Sequence, residues 1–146
     1  MRIIPPRLFA LCAAAMLALW SFVQGGPAVD AAFRPLGWIP LVLGLTLTLA
    51  GARLFDGRKT NIKTFNEPTI LVTDGLFRWS RNPMYLGFVV AQFGLALVFG
   101  GIGQFIIAAL FFLAAALWYI PFEEAAMRTK FGQAYADYAA RTRRWL

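Results

Sequence analysis

Residues able to hold a charged ligand stand at two points of an otherwise apolar chain. Arg81, Asn82 and Tyr85 open one apolar run, and Glu123-Glu124 close another. Arginine can grip a carboxylate through two parallel hydrogen bonds, and a glutamate accepts from an ammonium or a hydroxyl. Brought together, these groups suit a small ligand carrying both charges. The acidic pair is expected at a helix C-terminus, where the dipole prefers cations. Solvent or nearby arginines could neutralise it there; placed against the dipole and next to hydrocarbon, it also marks a candidate site. The sequence contains no histidine, the usual metal ligand and the usual base near neutral pH. Neither a metal centre nor a His-based triad is expected.

The elements that must position these residues follow from composition. The chain has 146 residues, 60% hydrophobic and 14% charged. A soluble domain of this size could not cover so much apolar side chain, so the sequence reads as one all-α, polytopic integral membrane domain over residues 1–146. Four spans are expected, at about 8–23, 38–54, 83–99 and 104–122, followed by a tail, 123–146, that forms a cytoplasmic amphipathic helix. Pro40 is tolerated in the first turn of its helix, and Pro83 suits a first helical position with Asn82 as cap. Thr69–Thr73 looks locally extended, Asp74-Gly75 is a turn signal, and Gly100 to Gly103 make a tight turn.

The net charge of +7 does not point to nucleic acid, because the basic residues lie between apolar runs as topology signals do. Arg2, Arg7, Arg53, Arg58, Lys59, Lys63, Arg78, Arg81, Arg128, Lys130, Arg141, Arg143 and Arg144 fall at the N-terminus, in the segment between spans two and three, and in the tail. The opposite side holds only Arg34. Both termini are therefore expected in the cytoplasm, with the bacterial inner (plasma) membrane as the location. Small residues four apart (Ala10, Ala14, Ala18; Gly44, Thr48, Ala52; Gly87, Ala91) would let helices approach closely in lipid. The lone Cys12 reads as a small core residue.

Spans three and four form a tight hairpin, so Arg81 and Tyr85 should share a depth with Glu123 and Glu124. In the tail, Met127, Phe131, Tyr135, Tyr138 and Thr142 fall on one helical face, interrupted by Gly132, which lowers helix stability by about 1 kcal/mol relative to Ala. That face reads either as a helix lying on the membrane surface or as a lid over the helix ends. On residue types alone, a non-catalytic four-helix protein with topogenic arginines and an interfacial Trp79 is the favoured reading.

Gly75-Leu-Phe-Arg-x-x-Arg81-Asn82-Pro83-x-Tyr85-x-Gly87, then Glu123-Glu124, then Phe131-Gly132-x-x-Tyr135-x-x-Tyr138 and Arg144-Trp145 together resemble the isoprenylcysteine carboxyl methyltransferase family, which is similar to the phospholipid N-methyltransferases. The resemblance covers roughly residues 55–146. It implies S-adenosylmethionine bound at the cytosolic ends of the last spans by Arg81, Asn82, Pro83, Tyr85, Gly87, Glu123, Glu124 and Arg144, with Arg81, Tyr85 and Glu124 as catalytic residues. The implied acceptor is membrane-embedded or apolar and enters from the bilayer. Asn82 stands where many members carry histidine, and four spans are fewer than in the best-known prenylcysteine enzymes. A carboxylate or thiolate acceptor needs no base in the transfer step, which favours it here. A phospholipid amine, which must first lose a proton, is the alternative.

Overall fold

The computed structural model describes residues 4–22, 29–57 and 70–146, with side chains left aside at 55–57. Arg2, Arg58, Lys59, Lys63 and Thr69 lie outside the described residues. The described chain is helical, with no strand. Helix α1 spans Pro5–Phe22, α2 Trp38–Gly57, α3 Pro83–Phe99, α4 Ile102–Ala114 and α5 Ile120–Arg141. A π turn, Ala115–Tyr119, joins α4 to α5, and short 3-10 turns at Arg34–Gly37 and Gly75–Arg78 precede α2 and α3.

Pro5–Phe22, Arg34–Leu54 and Ile102–Arg141 are long and apolar enough to cross a membrane, and Pro83–Phe99 is a shorter apolar helix of 17 residues. The outside of the molecule is apolar: Phe22 is 85% exposed, and Leu43, Leu49, Leu110 and Trp118 are all exposed. Such a surface suits hydrocarbon rather than water.

Several boundaries differ from the sequence expectation. Helix α1 begins at Pro5, because prolines fit the first turn, where backbone N–H groups have no helical partner. Helix α2 extends to Gly57. The hairpin turn is only Gly100-Gly101, with Gly100 at φ 77°, a left-handed conformation that glycine adopts without strain. Residues 71–73 are irregular and unpaired rather than strand-like. The first part of the tail, as far as Phe131, continues the fourth span rather than starting a new helix. Ile102 to Phe131 runs as one helical segment through the π turn, and at about 1.5 Å per residue it is about 45 Å long, more than a hydrocarbon core. Within α5, Gly132 adopts φ 50° and ψ −122°, so it breaks the helix rather than merely weakening it.

Helices α2 and α3 make the closest pair. A Cβ added at Gly37, Gly44, Gly87 or Gly94 would run into the facing chain: Gly94 and Val98, Gly87 and Ala91, Thr48 and Gly44, and Leu41 respectively. Backbone contact this close is how helices associate in lipid, where burial of apolar surface gives no drive. Thr48 Oγ1 adds a hydrogen bond to the Met84 carbonyl, 3.1 Å. By contrast Ala10, Ala14 and Ala18 all face outward, so that stripe packs no helix.

Helix α1 instead meets α3 and α4 through larger side chains. Phe9 lies 5.1 Å from Phe88 and 6.2 Å from Phe111 by ring centroids, and Cys12 packs beside this cluster. Gln92 and Gln104 donate to the Phe9 and Met16 carbonyls at 3.1 and 3.4 Å. At the hairpin end, Val29 N–H donates to the Gly100 carbonyl (3.0 Å) and Arg34 Nε to the Val29 carbonyl (3.2 Å).

Gly44→Val should therefore force α2 from α3 and lower stability by about 1–3 kcal/mol. Ala14→Val, on the outward stripe, should stay within about 0.5 kcal/mol. Thermal melts of the two variants in detergent check the contrast.

Candidate functional site

Three stretches of chain meet at one end of the bundle: the turn before α3, the first turns of α5, and residues 142–146. Pro83 is the first residue of α3 and Asn82 its cap position, but the Asn82 side chain makes no cap bond. The Asn82 backbone, at φ −132° and ψ 52°, lies away from the extended geometry of a regular cap. Its Nδ2 instead donates to the Arg144 carbonyl, 3.0 Å. Arg81 N–H donates to the Arg143 carbonyl (2.9 Å), Ser80 and Arg143 form an isolated parallel bridge, and Ser80 Oγ lies 3.4 Å from the Arg144 carbonyl. The C-terminal segment is thus sewn to the start of α3, mainly through main-chain atoms.

These contacts surround a buried carboxylate. Glu124 is 5% exposed. Arg81 Nη2 donates to its Oε1 at 3.0 Å, and Arg144 grips both oxygens, Nε to Oε1 at 3.2 Å and Nη2 to Oε2 at 2.7 Å. Arg128 Nη2 lies 4.0 Å from Oε2. Arg81 Nη1 also donates to the Ala139 and Thr142 carbonyls at 2.8 and 2.6 Å. Its Nε is buried and, among the described residues, has no partner. Beside this cluster the Tyr85 hydroxyl donates to Glu123 Oε1, 2.8 Å.

The adjacent glutamates therefore meet different partners, as positions about 100° apart on a helix should. Of the sequence candidates, Arg81, Asn82, Tyr85, Glu123, Glu124 and Arg144 come together, with Pro83 buried at the start of α3. Gly87 does not join them, because it faces Gly44 and Thr48 on α2.

The π turn decides which way the acids face. Counting about 100° per residue, an unbroken α-helix would put Glu124 about 180° from buried Ala115, pointing away from the bundle. A π turn takes up one extra residue, which returns about 100° and leaves Glu124 about 80° from Ala115, with Glu123 almost in line with it. Tyr119 and Ile120 are buried on the same side. Sequence periodicity alone does not reveal this shift.

Burial by itself raises the Glu124 pKa, but hydrogen bonds from Arg144 and Arg81, and their charges, outweigh it and hold the carboxyl below its ordinary value of 4.5. The hydrogen bond to Glu124 in turn raises Arg144. Tyr135, 4% exposed, is raised first by burial and then by the Glu124 charge. Burial likewise raises Tyr138, whose hydroxyl donates to the Phe77 carbonyl at 2.7 Å. Ser80, Arg128, Tyr135, Tyr138 and Thr142 are not among the site residues expected from sequence. The available signal was the three-residue spacing of Tyr135 and Tyr138, which places both on one helix face.

A family model described as phospholipid methyltransferase matches residues 33–134. The match takes in Arg81, Tyr85, Glu123 and Glu124 and ends before Arg144. No curated protein matches the chain.

Because Glu124 titrates lower folded than unfolded, its contribution to stability is present above the ordinary pKa of 4.5 and is lost as pH falls through the folded value. Melting temperature in detergent should therefore drop more steeply from about pH 5 to about pH 3.5 in wild type than in Glu124→Gln. Deleting Leu117, 73% exposed within the π turn, should restore an unbroken α-helix with Glu124 still about 80° from Ala115, and so keep the steep pH response of wild type.

Proposed function

Since the chain belongs to the phospholipid methyltransferase family, a family of membrane methyltransferases, we propose that it transfers a methyl group from S-adenosylmethionine to a lipophilic acceptor at the cytoplasmic face of the bilayer. In this reading α1, α2, α3 and the upper part of the Ile102–Phe131 rod span the membrane. The glutamates lie just below the hydrocarbon, since Glu124 is about 33 Å along the rod from Ile102. Both termini face the cytoplasm of a bacterial inner membrane, following the basic residues on that side.

One observation supports the cofactor assignment. Arg81 keeps a buried Nε, unpartnered among the described residues, beside a carboxylate that Arg81 and Arg144 already neutralise. A buried donor without an acceptor is unfavourable by about 1–3 kcal/mol, and a ligand carboxylate would satisfy it. Glu123 and the Tyr85 hydroxyl supply acceptors for an ammonium or a ribose hydroxyl, and Arg144 is the more exposed of the two arginines on Glu124. The residues present thus fit the amino-acid end of S-adenosylmethionine, with Asn82, Pro83 and Gly87 shaping the start of α3 behind them. When bound, that cofactor supplies a methyl group activated on a sulfonium.

The protein's own contribution is alignment and the exclusion of water. Tyr85 packs with Ala115, Tyr119 and Ile120, and Trp145 closes over this cluster with its ring 5.5 Å from Phe112. A carboxylate or thiolate acceptor fits a site without histidine, because it arrives able to attack. The family description favours a second acceptor, a phospholipid amine. Glu123, bonded to Tyr85, is then the group placed to receive the amine proton.

Calorimetric titration of S-adenosylhomocysteine into detergent-purified protein tests the cofactor site. Micromolar binding is expected for wild type and its loss for Arg81→Ala. Arg81→Lys, which keeps the charge but lacks Nε and the planar fork, should weaken binding about tenfold or more. If folded, lipid-supplemented wild type takes up no ligand, the enzyme reading fails.

A further inference from the structure

Next to the Glu124 cluster lies a second charged feature with the opposite sign. An open cleft of about 430 Å³ is lined by Thr73, Arg78, Arg141 and Thr142. Both arginines are exposed and, among the described residues, neither makes an ion pair or a hydrogen bond. Its two walls are fixed relative to each other. The Tyr138 hydroxyl holds the Phe77 carbonyl at 2.7 Å, which ties the turn carrying Arg78 to α5. Arg141 follows Tyr138 by three residues and so shares its face of the helix. Thr142 sits between the two sites: its side chain belongs to a residue lining the cleft, while its carbonyl accepts from Arg81 at 2.6 Å.

Two guanidinium groups facing one cleft repel, and an anion between them would remove that penalty. The C-terminus of α5 contributes about half a negative charge nearby, too little to offset two full positive charges. Arginine pairs bind phosphate through paired N–H donors, and threonine hydroxyls add donors that need no charge. The neighbouring Trp79 is 75% exposed, as a residue at the level of lipid headgroups would be.

We propose that the Arg78–Arg141 cleft binds a phosphate group, presented by the headgroup of an anionic lipid at the membrane rim. The site is separate from the Glu124 cluster and does not depend on the cofactor reading. Its occupant would draw a lipid headgroup to the same edge of the bundle as Glu124.

The test is a titration of detergent-purified protein with short-chain phosphatidylglycerol below its micellar concentration. Saturable binding is expected, weakened about tenfold by Arg78→Gln or by Arg141→Gln. Arg53→Gln, an exposed arginine at the end of α2, should leave the affinity nearly unchanged. Equal weakening by all three variants would mean diffuse charge attraction and would overturn the site, as would full affinity in both Arg78→Gln and Arg141→Gln. Inorganic phosphate and glycerol phosphate serve as competitors. Lipid binding that resists both supports a headgroup, whereas displacement by either at millimolar concentration transfers the cleft to soluble phosphate compounds and overturns the lipid assignment. Unchanged binding of S-adenosylhomocysteine by the Arg78 and Arg141 variants separates this outcome from any failure at Arg81.

Discussion

A carboxylate 5% exposed at one end of the bundle has to be neutralised in place, and at this end of the protein most else follows from that need. Removing one partner of such a buried pair is unfavourable by about 3–5 kcal/mol, because the other charge is stranded. Glu124 meets the demand with Arg81 from before α3 and Arg144 from the C-terminal segment, so one side chain joins three stretches distant in sequence. Arg81, the more buried of the two arginines, carries the larger share; Arg144 is partly screened by solvent. Hydrogen bonds from the Ser80 and Asn82 side chains and the Arg81 N–H to the carbonyls of residues 143 and 144 then hold the C-terminal segment in register.

That cluster works only if its helices stand at fixed depth and rotation. Depth is set where α2 and α3 touch backbone to backbone at Gly44, Gly87 and Gly94, since so close a contact leaves no freedom to slide. Rotation is set by the π turn, which changes the facing of everything below Tyr119 without changing the facing of α4. A single extra residue in the rod therefore connects membrane packing above to charge chemistry below.

Sequence reading captures what is local. The apolar runs give the helices, Pro83 gives the first residue of α3, Gly100 gives the hairpin turn, and the separation of Arg81, Tyr85 and the two glutamates gives the convergence. What it misses depends on tertiary context. The π turn leaves no mark in the apolar run Ala115–Tyr119. Gly132 looks like a weak point in a helix, but its left-handed φ, visible only in the fold, is what ends one helical segment and starts another. The alanine stripe of α1 has the same spacing as the glycine stripes of α2 and α3 yet faces outward. Spacing states that helices can approach; the phenylalanines at positions 9, 88 and 111 decide that α1 does not use that face.

Asn82 ties the C-terminal segment to the start of α3 with a group that does not titrate. Its side chain could have capped α3, yet it spends its donor on the Arg144 carbonyl. An imidazole can make that bond only when the nitrogen in reach carries the proton. An amide always can, because its NH₂ is a donor at every pH at which the protein folds. The amide therefore holds the C-terminal segment without pH dependence. With no histidine in the sequence, the side chains at this end that can take up a proton are carboxylates. Of the two carboxylates here, Glu124 is gripped by its arginines, whereas Glu123 meets the Tyr85 hydroxyl.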